Sequence, residues 1–338
     1  MEIEKMTKKD LTQLIRQYAK GPSSALMESA CAERDRYYGK RVFIRGLIEF
    51  TNYCKNDCYY CGIRCQNKNI NRYRLTEEQI LACCDAGAGL GLHTFVLQGG
   101  EDPYFTTPRL CSIITKIKKA HPNAAVTLSV GEKNKSSYEA FLKAGADRYL
   151  LRHETASASH YNLLHPSALS LQHRKECLWT LKRLGYQTGA GFMVGSPGQT
   201  AEHLAEDLLF LKELQPQMVG IGPFIPHQDT PFAAQPPGSL PLVLTMLVLT
   251  RLMLPKVLLP ATTALATLSK DGRELGFSAG CNVVMPNLSP AGVRSSYALY
   301  DKKAISGAEA AQNLTQLKQQ IEAAGLEMDL SRGDAIPS

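Results

Sequence analysis

The sequence predicts an α/β fold of the (β/α)8 TIM-barrel type, and three observations carry that expectation. Eight short apolar runs alternate with amphipathic helical segments. The alternation fills about 240 residues, within the size range of such barrels. Polar and glycine-rich signals gather at the C-terminal end of each apolar run, where barrel enzymes carry their chemistry. An open, doubly wound sheet is the alternative, and it would place the site at the same strand ends.

The elements follow in order. Residues 6–38 read as helical, because Leu11, Leu14, Ile15 and Tyr18 fall near one face. Strands are expected at 42–50, 93–98, 125–130, 148–153, 188–194, 218–222, 257–261 and 282–285. Helices are expected between them at 76–90, 108–120, 136–144, 172–184, 201–214, 240–253 and 270–276. A last helix near 308–324 reads as a surface cap. The expected organisation is an N-terminal helical extension (1–38), a barrel domain (39–300) and a C-terminal helical tail (301–338).

Composition narrows the function classes. Hydrophobic residues make up 44% and charged residues 20%, as in ordinary soluble domains. The formal charge of +7 is scattered without a run of five like charges, so no nucleic-acid partner is expected. Residues 1–9 are charged and lack the apolar core of an export signal. The longest apolar run, 240–250, falls short of the roughly 20 residues a bilayer requires. No membrane association is expected, and the cytoplasm is the expected location. Ten cysteines in such a chain point to metal ligation or buried thiols rather than disulfides.

The chemistry concentrates directly after the first strand, in Cys54-Lys-Asn-Asp-Cys58-Tyr-Tyr-Cys61-Gly. Three thiolates at spacings of four and three residues suit an iron–sulfur cluster or zinc. A loop of this length can wrap three corners of a cubane and leave one iron open to a substrate. Zinc is the alternative, with Cys65 closing a tetrahedral site, although structural zinc normally pairs two Cys-x2-Cys knuckles and one is present here.

This spacing, with Tyr60 before the third cysteine, resembles the signature of the radical S-adenosylmethionine (SAM) superfamily. The resemblance implies a [4Fe–4S] cluster on Cys54, Cys58 and Cys61, with the methionine end of SAM on the open iron. It also implies an enzyme in which one electron cleaves SAM to methionine and a 5′-deoxyadenosyl radical. Tyr60 would lie by the adenine. Gly99 and Gly100 would bring backbone carbonyls near the SAM ammonium, and Glu101 would pair with it. Glu154 would accept both ribose hydroxyls. Arg174 would fork onto the methionine carboxylate, and Met193 would flank adenine or fill core.

Within the superfamily, the segments 48–52, 151–156, 189–191, 220–227, 260–263 and 284–287 together resemble the HydE family of radical maturases. That resemblance implies a role in assembling the [FeFe]-hydrogenase active-site cluster. The substrate would be a small molecule or iron complex, a cysteine-ligated iron species or a sulfur-containing amino acid, delivered by HydG. The product would pass to HydF, and an electron donor would supply the cluster. Matching positions for the substrate end are Gln98, Arg152, Met218, Thr262, Thr263, Tyr297 and Tyr300. Arg152 would hold a carboxylate bidentately. One feature departs from many HydE proteins: no cysteine follows Cys281, so a second C-terminal cluster is not expected. Two alternatives are a radical mutase or synthase of the methylornithine synthase or biotin synthase type, and a zinc-stabilised binding protein.

Overall fold

The computed structural model describes residues 2–303 and 310–337. The chain enters through two helices, Lys8–Gln17 and Ser24–Tyr38, where the sequence suggests one. The break falls at Gly21, whose φ of +123° is closed to a helix, and at Pro22, which has no N–H to donate. Ser23 then caps the second helix, its Oγ accepting from Leu26 N at 3.3 Å.

The strands are β1 (Arg41–Ile44), β2 (Gly46–Thr51), β3 (Thr94–Gly99), β4 (Ala125–Ser129), β5 (Arg148–Leu150), β6 (Gln187–Ala190), β7 (Met193–Val194), β8 (Met218–Val219), β9 (Gly222–Pro223), β10 (Val283–Val284) and β11 (Glu327–Asp329). Six of them form one sheet in the order β2-β3-β4-β5-β6-β8, every neighbour parallel. β1 and β2 are one run interrupted at Arg45. The expected seventh strand is present as isolated bridges: Val219 N donates to Leu258 O at 3.0 Å, and Ala261 N to Val283 O at 2.9 Å. β10 then meets β1, with Phe43 opposite Val283 and Ile44 opposite Val284. The sheet thus closes into the barrel the alternation predicts.

Two expected strands, 188–194 and 218–222, each divide into a pair. The division lets their backbones approach closely. A Cβ on Gly191, at φ +155°, would lie 2.1 Å from Gly220 O. Helices cover the outer surface, several of them started by a capping side chain. Thr76, for example, accepts from Gln79 N while the Gln79 side chain returns to Thr76 N. Side chains such as Ile80, Ile114, Phe141, Leu178 and Leu208 are fully buried under that layer, each stabilising by roughly 2 kcal/mol relative to exposure.

Three short helices, Ala158–Leu164, Thr263–Leu268 and Ala291–Arg294, lie where the sequence reading has loops. At the C-terminus the helix spans Leu314–Ala323, and the expected positions 308 and 309 lie outside the described residues. It is more than a surface cap, because Leu317 and Ile321 are fully buried. β11 pairs parallel with β1, and the residues after it cross the N-terminal mouth of the barrel. There Thr94 Oγ1 donates to Arg332 O at 2.8 Å and Arg148 Nη2 to Asp334 Oδ1 at 2.6 Å. No helix among the described residues is long and apolar enough to cross a membrane.

Candidate cluster and cofactor site

The opposite mouth, at the C-terminal ends of the strands, opens into a cavity of about 350 Å³. The cysteine loop forms one side. Arg72 fixes this loop through its carbonyls, donating from Nη1 to Ile63 O at 2.8 Å and from Nη2 to Arg64 O at 2.6 Å. Asn52 donates from Nδ2 to Asn71 O at 2.8 Å and Ser296 O at 2.7 Å. Cys61 N returns to Cys58 O at 3.2 Å, which makes the tight turn between the last two thiols.

Cys54, Cys58 and Cys61 all line the cavity. Burial pushes all three thiols up, with added repulsion from nearby negative charge: Cys61 to about 12 beside Cys54, Cys58 well above its ordinary value beside Cys61 and Cys54, and Cys54 also upward beside Glu101 and Cys65. Without a metal these thiols hold their protons, and binding iron would release them. Cys65 is not part of the wall. Among the described residues no three Cys, His, Asp or Glu side chains are grouped to hold a single ion.

The strand ends bring the other expected residues to the same cavity. Gly99 ends β3, Gly100 and Glu101 follow it, and all three line the cavity. Gly100 is required by packing: a Cβ there would lie 2.2 Å from Tyr53 O and 2.8 Å from the Cys54 Cβ. Glu101 is buried, accepts from Glu132 N at 2.9 Å and faces Lys55 Nζ at 3.3 Å. Tyr60 donates or accepts through its hydroxyl to His165 Nε2 at 3.2 Å. Burial pushes that imidazole down to about 3, so it stays neutral. Met193 joins Leu164 and Phe224 in a small apolar cluster and also reaches the cavity.

Glu154 lines the cavity with a φ of +65°, a left-handed backbone that side chains rarely adopt. Its Oε2 lies 2.9 Å from Arg152 Nη2, but neither atom has an aligned hydrogen bond. Arg174 is buried and not on a solvated helix face. It faces Glu132 Oε1 at 2.5 Å from Nε and donates to Arg152 O at 3.3 Å from Nη1.

Gln98, Arg152, Thr262, Thr263, Tyr297 and Tyr300 line the same space. Thr262 Oγ1 is buried without a partner. Met218 is the exception. It sits in the layer beneath, against Leu150 and Leu258, with Arg45 Nη1 donating to its sulfur at 3.0 Å. Strand phase accounts for this: Met218 starts β8 well before the strand reaches the mouth.

Sequence reading missed three groups here. Glu49 is buried in the wall, its Oε1 paired with Lys303 and its Oε2 accepting from Asn287 Nδ2 at 2.7 Å. Glu132 partners Arg174, and His165 holds Tyr60. Two of them carried a signal: Glu132 lies in the polar strand end at 131–132, and Glu49 is a lone carboxylate in an apolar strand.

Comparison with known proteins agrees with this geometry. The Radical SAM superfamily model matches residues 48–211. The [FeFe] hydrogenase maturase subunit HydE of Thermotoga maritima is 47% identical over 306 residues, 89% of this chain and 87% of that protein. A 3-methylornithine synthase of Methanosarcina barkeri is 30% identical over 298 residues, 88% of this chain and 84% of that protein. The crystal structure of methylornithine synthase (PylB) superposes with a TM-score of 0.84 at 29% identity, covering 97% of this chain and 96% of that one. The chain belongs to the radical SAM superfamily and, within it, to the HydE family.

Proposed function

We propose that this protein is a radical SAM maturase of the HydE type, acting in assembly of the [FeFe]-hydrogenase active-site cluster. The observation that carries the proposal is the single cavity at the barrel mouth, which gathers three thiols, Glu154, Arg174 and the substrate-end residues. The residues fit the cofactors of the family, a [4Fe–4S] cluster and SAM. Thiolates are soft ligands for iron, and buried polar atoms such as Arg152 Nε and Thr262 Oγ1 have no hydrogen-bond partner. When bound, these cofactors supply a one-electron reductive cleavage that yields methionine and a 5′-deoxyadenosyl radical.

The chain's own residues do the rest. Cys54, Cys58 and Cys61 hold the cluster. The Gly99–Gly100 backbone and Glu101 hold the SAM ammonium, and Arg174 binds its carboxylate. Glu154 accepts the ribose hydroxyls, while Tyr60 and Met193 flank the adenine. Buried donors and acceptors fixed before binding cost little reorganisation. Arg152 serves as the cationic anchor for a carboxylate of the substrate, with Gln98, Thr262, Thr263, Tyr297 and Tyr300 around it. On this reading the protein works in the reducing cytoplasm, since all ten of its cysteines are free. Its partners are an electron donor and the maturases HydG and HydF.

Anaerobic reconstitution with iron and sulfide, then reduction in the presence of SAM, tests the reading. Iron at about four per chain and an adenosyl group captured on sulfur of a thiol-bearing substrate are expected. Transfer of deuterium from a labelled carbon substrate into 5′-deoxyadenosine would instead indicate a methylornithine-synthase type of reaction. Bound zinc without SAM cleavage would overturn the proposal.

A further inference from the structure

The strand end 151–156 makes a turn that the backbone does not adopt freely. Glu154 lies at φ +65°, a backbone strained for a non-glycine residue that persists only where surrounding contacts over-determine it. Part of that restraint is visible in the neighbouring strand. Glu154 N donates to Gly191 O at 3.1 Å, and Met193 N donates to Glu154 O at 3.1 Å. These bonds hold the peptide of Glu154 itself. They do not hold the residues on either side.

Those are held from below by one side chain. Asp207, from the helix Ala201–Leu214, is fully buried and does not line the cavity. Its Oδ1 accepts from Ala156 N at 2.5 Å and lies 3.2 Å from His153 Nε2. It therefore grips the residue before Glu154 and the residue two positions after it. His153 is itself fully buried, its ring packed against Phe192 and Phe210. Lys175 adds a bond from the neighbouring helix, donating to Ala156 O at 2.9 Å. The arrangement is not one that stability alone selects. Asp207 Oδ2 and His153 Nδ1 are buried without partners, and burial disfavours the charge of the carboxylate.

We propose that Asp207 is a positioning residue: by holding His153 and Ala156 it fixes the left-handed turn that aims the Glu154 carboxylate into the SAM cavity. The inference rests on the reading of Glu154 as the ribose acceptor. It assigns a function to a carboxylate that touches neither cluster nor cofactor.

The test is SAM affinity of the reconstituted protein, measured by titration calorimetry for Glu154→Ala, Asp207→Ala and the double variant, with iron content as a control. Loss of such a supporting contact typically costs on the order of tenfold in binding. The expected result is weaker SAM binding in both single variants, unchanged iron, and no further loss in the double variant, because both act through one carboxylate. Asp207→Leu, which fills the same space without an acceptor, gives the same readout if Asp207→Ala does not fold. Asp207→Asn, which keeps an acceptor for Ala156 N, should retain affinity within about twofold. If Glu154→Ala weakens binding but Asp207→Ala and Asp207→Leu do not, or add independently, the positioning role is wrong and the ribose reading stands. If Glu154→Ala leaves affinity unchanged, the ribose reading fails and the positioning role fails with it.

Discussion

At the scale of single residues, the cavity is a set of charges that are already paired. Glu154 faces Arg152, Glu132 faces Arg174, Glu101 faces Lys55 and Glu49 faces Lys303. The last pair is the most deeply placed, with Glu49 1% exposed. Lys303 also donates to Tyr297 O at 3.1 Å and lies over the Tyr297 ring at 4.9 Å. Removing one partner of such a pair strands a buried charge. Lys303→Met should therefore destabilise the fold by about 3 kcal/mol, and Lys303→Met with Glu49→Gln should recover most of that loss, both read from denaturant melts. The thiols give a second prediction. Cys58→Ala removes one of three proposed ligands without leaving a large void. Iron after reconstitution should fall well below the wild-type level while the far-ultraviolet spectrum stays native, and a variant that still cleaves SAM would refute the ligand assignment.

At the scale of elements, the two mouths of the barrel are treated differently. The C-terminal mouth carries the cavity, and the N-terminal mouth is crossed by the segment after β11. Asp334 ties that segment down by pairing with Arg148 and Arg332 and accepting from Gln187 Nε2 at 2.8 Å. Those partners hold its carboxyl well below the usual range, against the opposing effect of burial. A group whose pKa falls on folding stabilises the native state above its unfolded pKa, and that contribution is lost as the pH drops through the folded value. Asp334→Asn should thus melt below wild type near about pH 7, and the gap should narrow from about pH 4 downward. Since the side chain is partly exposed, the difference should be modest, about 1 kcal/mol, and smaller in high salt. A gap independent of pH would show that the pairing is not what anchors the segment.

At the scale of the whole molecule, the barrel spends part of its interior on a space of about 350 Å³ instead of filling it with side chains. The lower layer, with Arg45, Met218 and Leu258, is packed solid by comparison, enclosing about 10 Å³. Ligands that complete the upper space should stabilise the fold by mass action. At about 100 times its Kd, SAM should add about 2.7 kcal/mol and raise the midpoint of thermal unfolding by several degrees. The shift should appear in the reconstituted wild type and disappear in Cys58→Ala. An equal shift in both would place SAM binding away from the cluster.

The sequence by itself determined the barrel and the location of its chemistry. Short apolar runs between amphipathic helical segments, helix caps such as Thr76 and the spacing of Cys54, Cys58 and Cys61 are local signals, and each is written in neighbouring residues. Tertiary structure alone decided which side chains meet. Glu49 and Lys303 are 254 positions apart, and β11 lies against β1 without an apolar run to announce it. Met218 fell below the cavity because the phase of a two-residue strand is set by its neighbours in the sheet, not by its own sequence. The left-handed turn at Glu154 was invisible for the same reason. Its cost is local, but the bonds to Gly191, Met193 and Asp207 that hold it come from distant segments brought together only when the barrel closes.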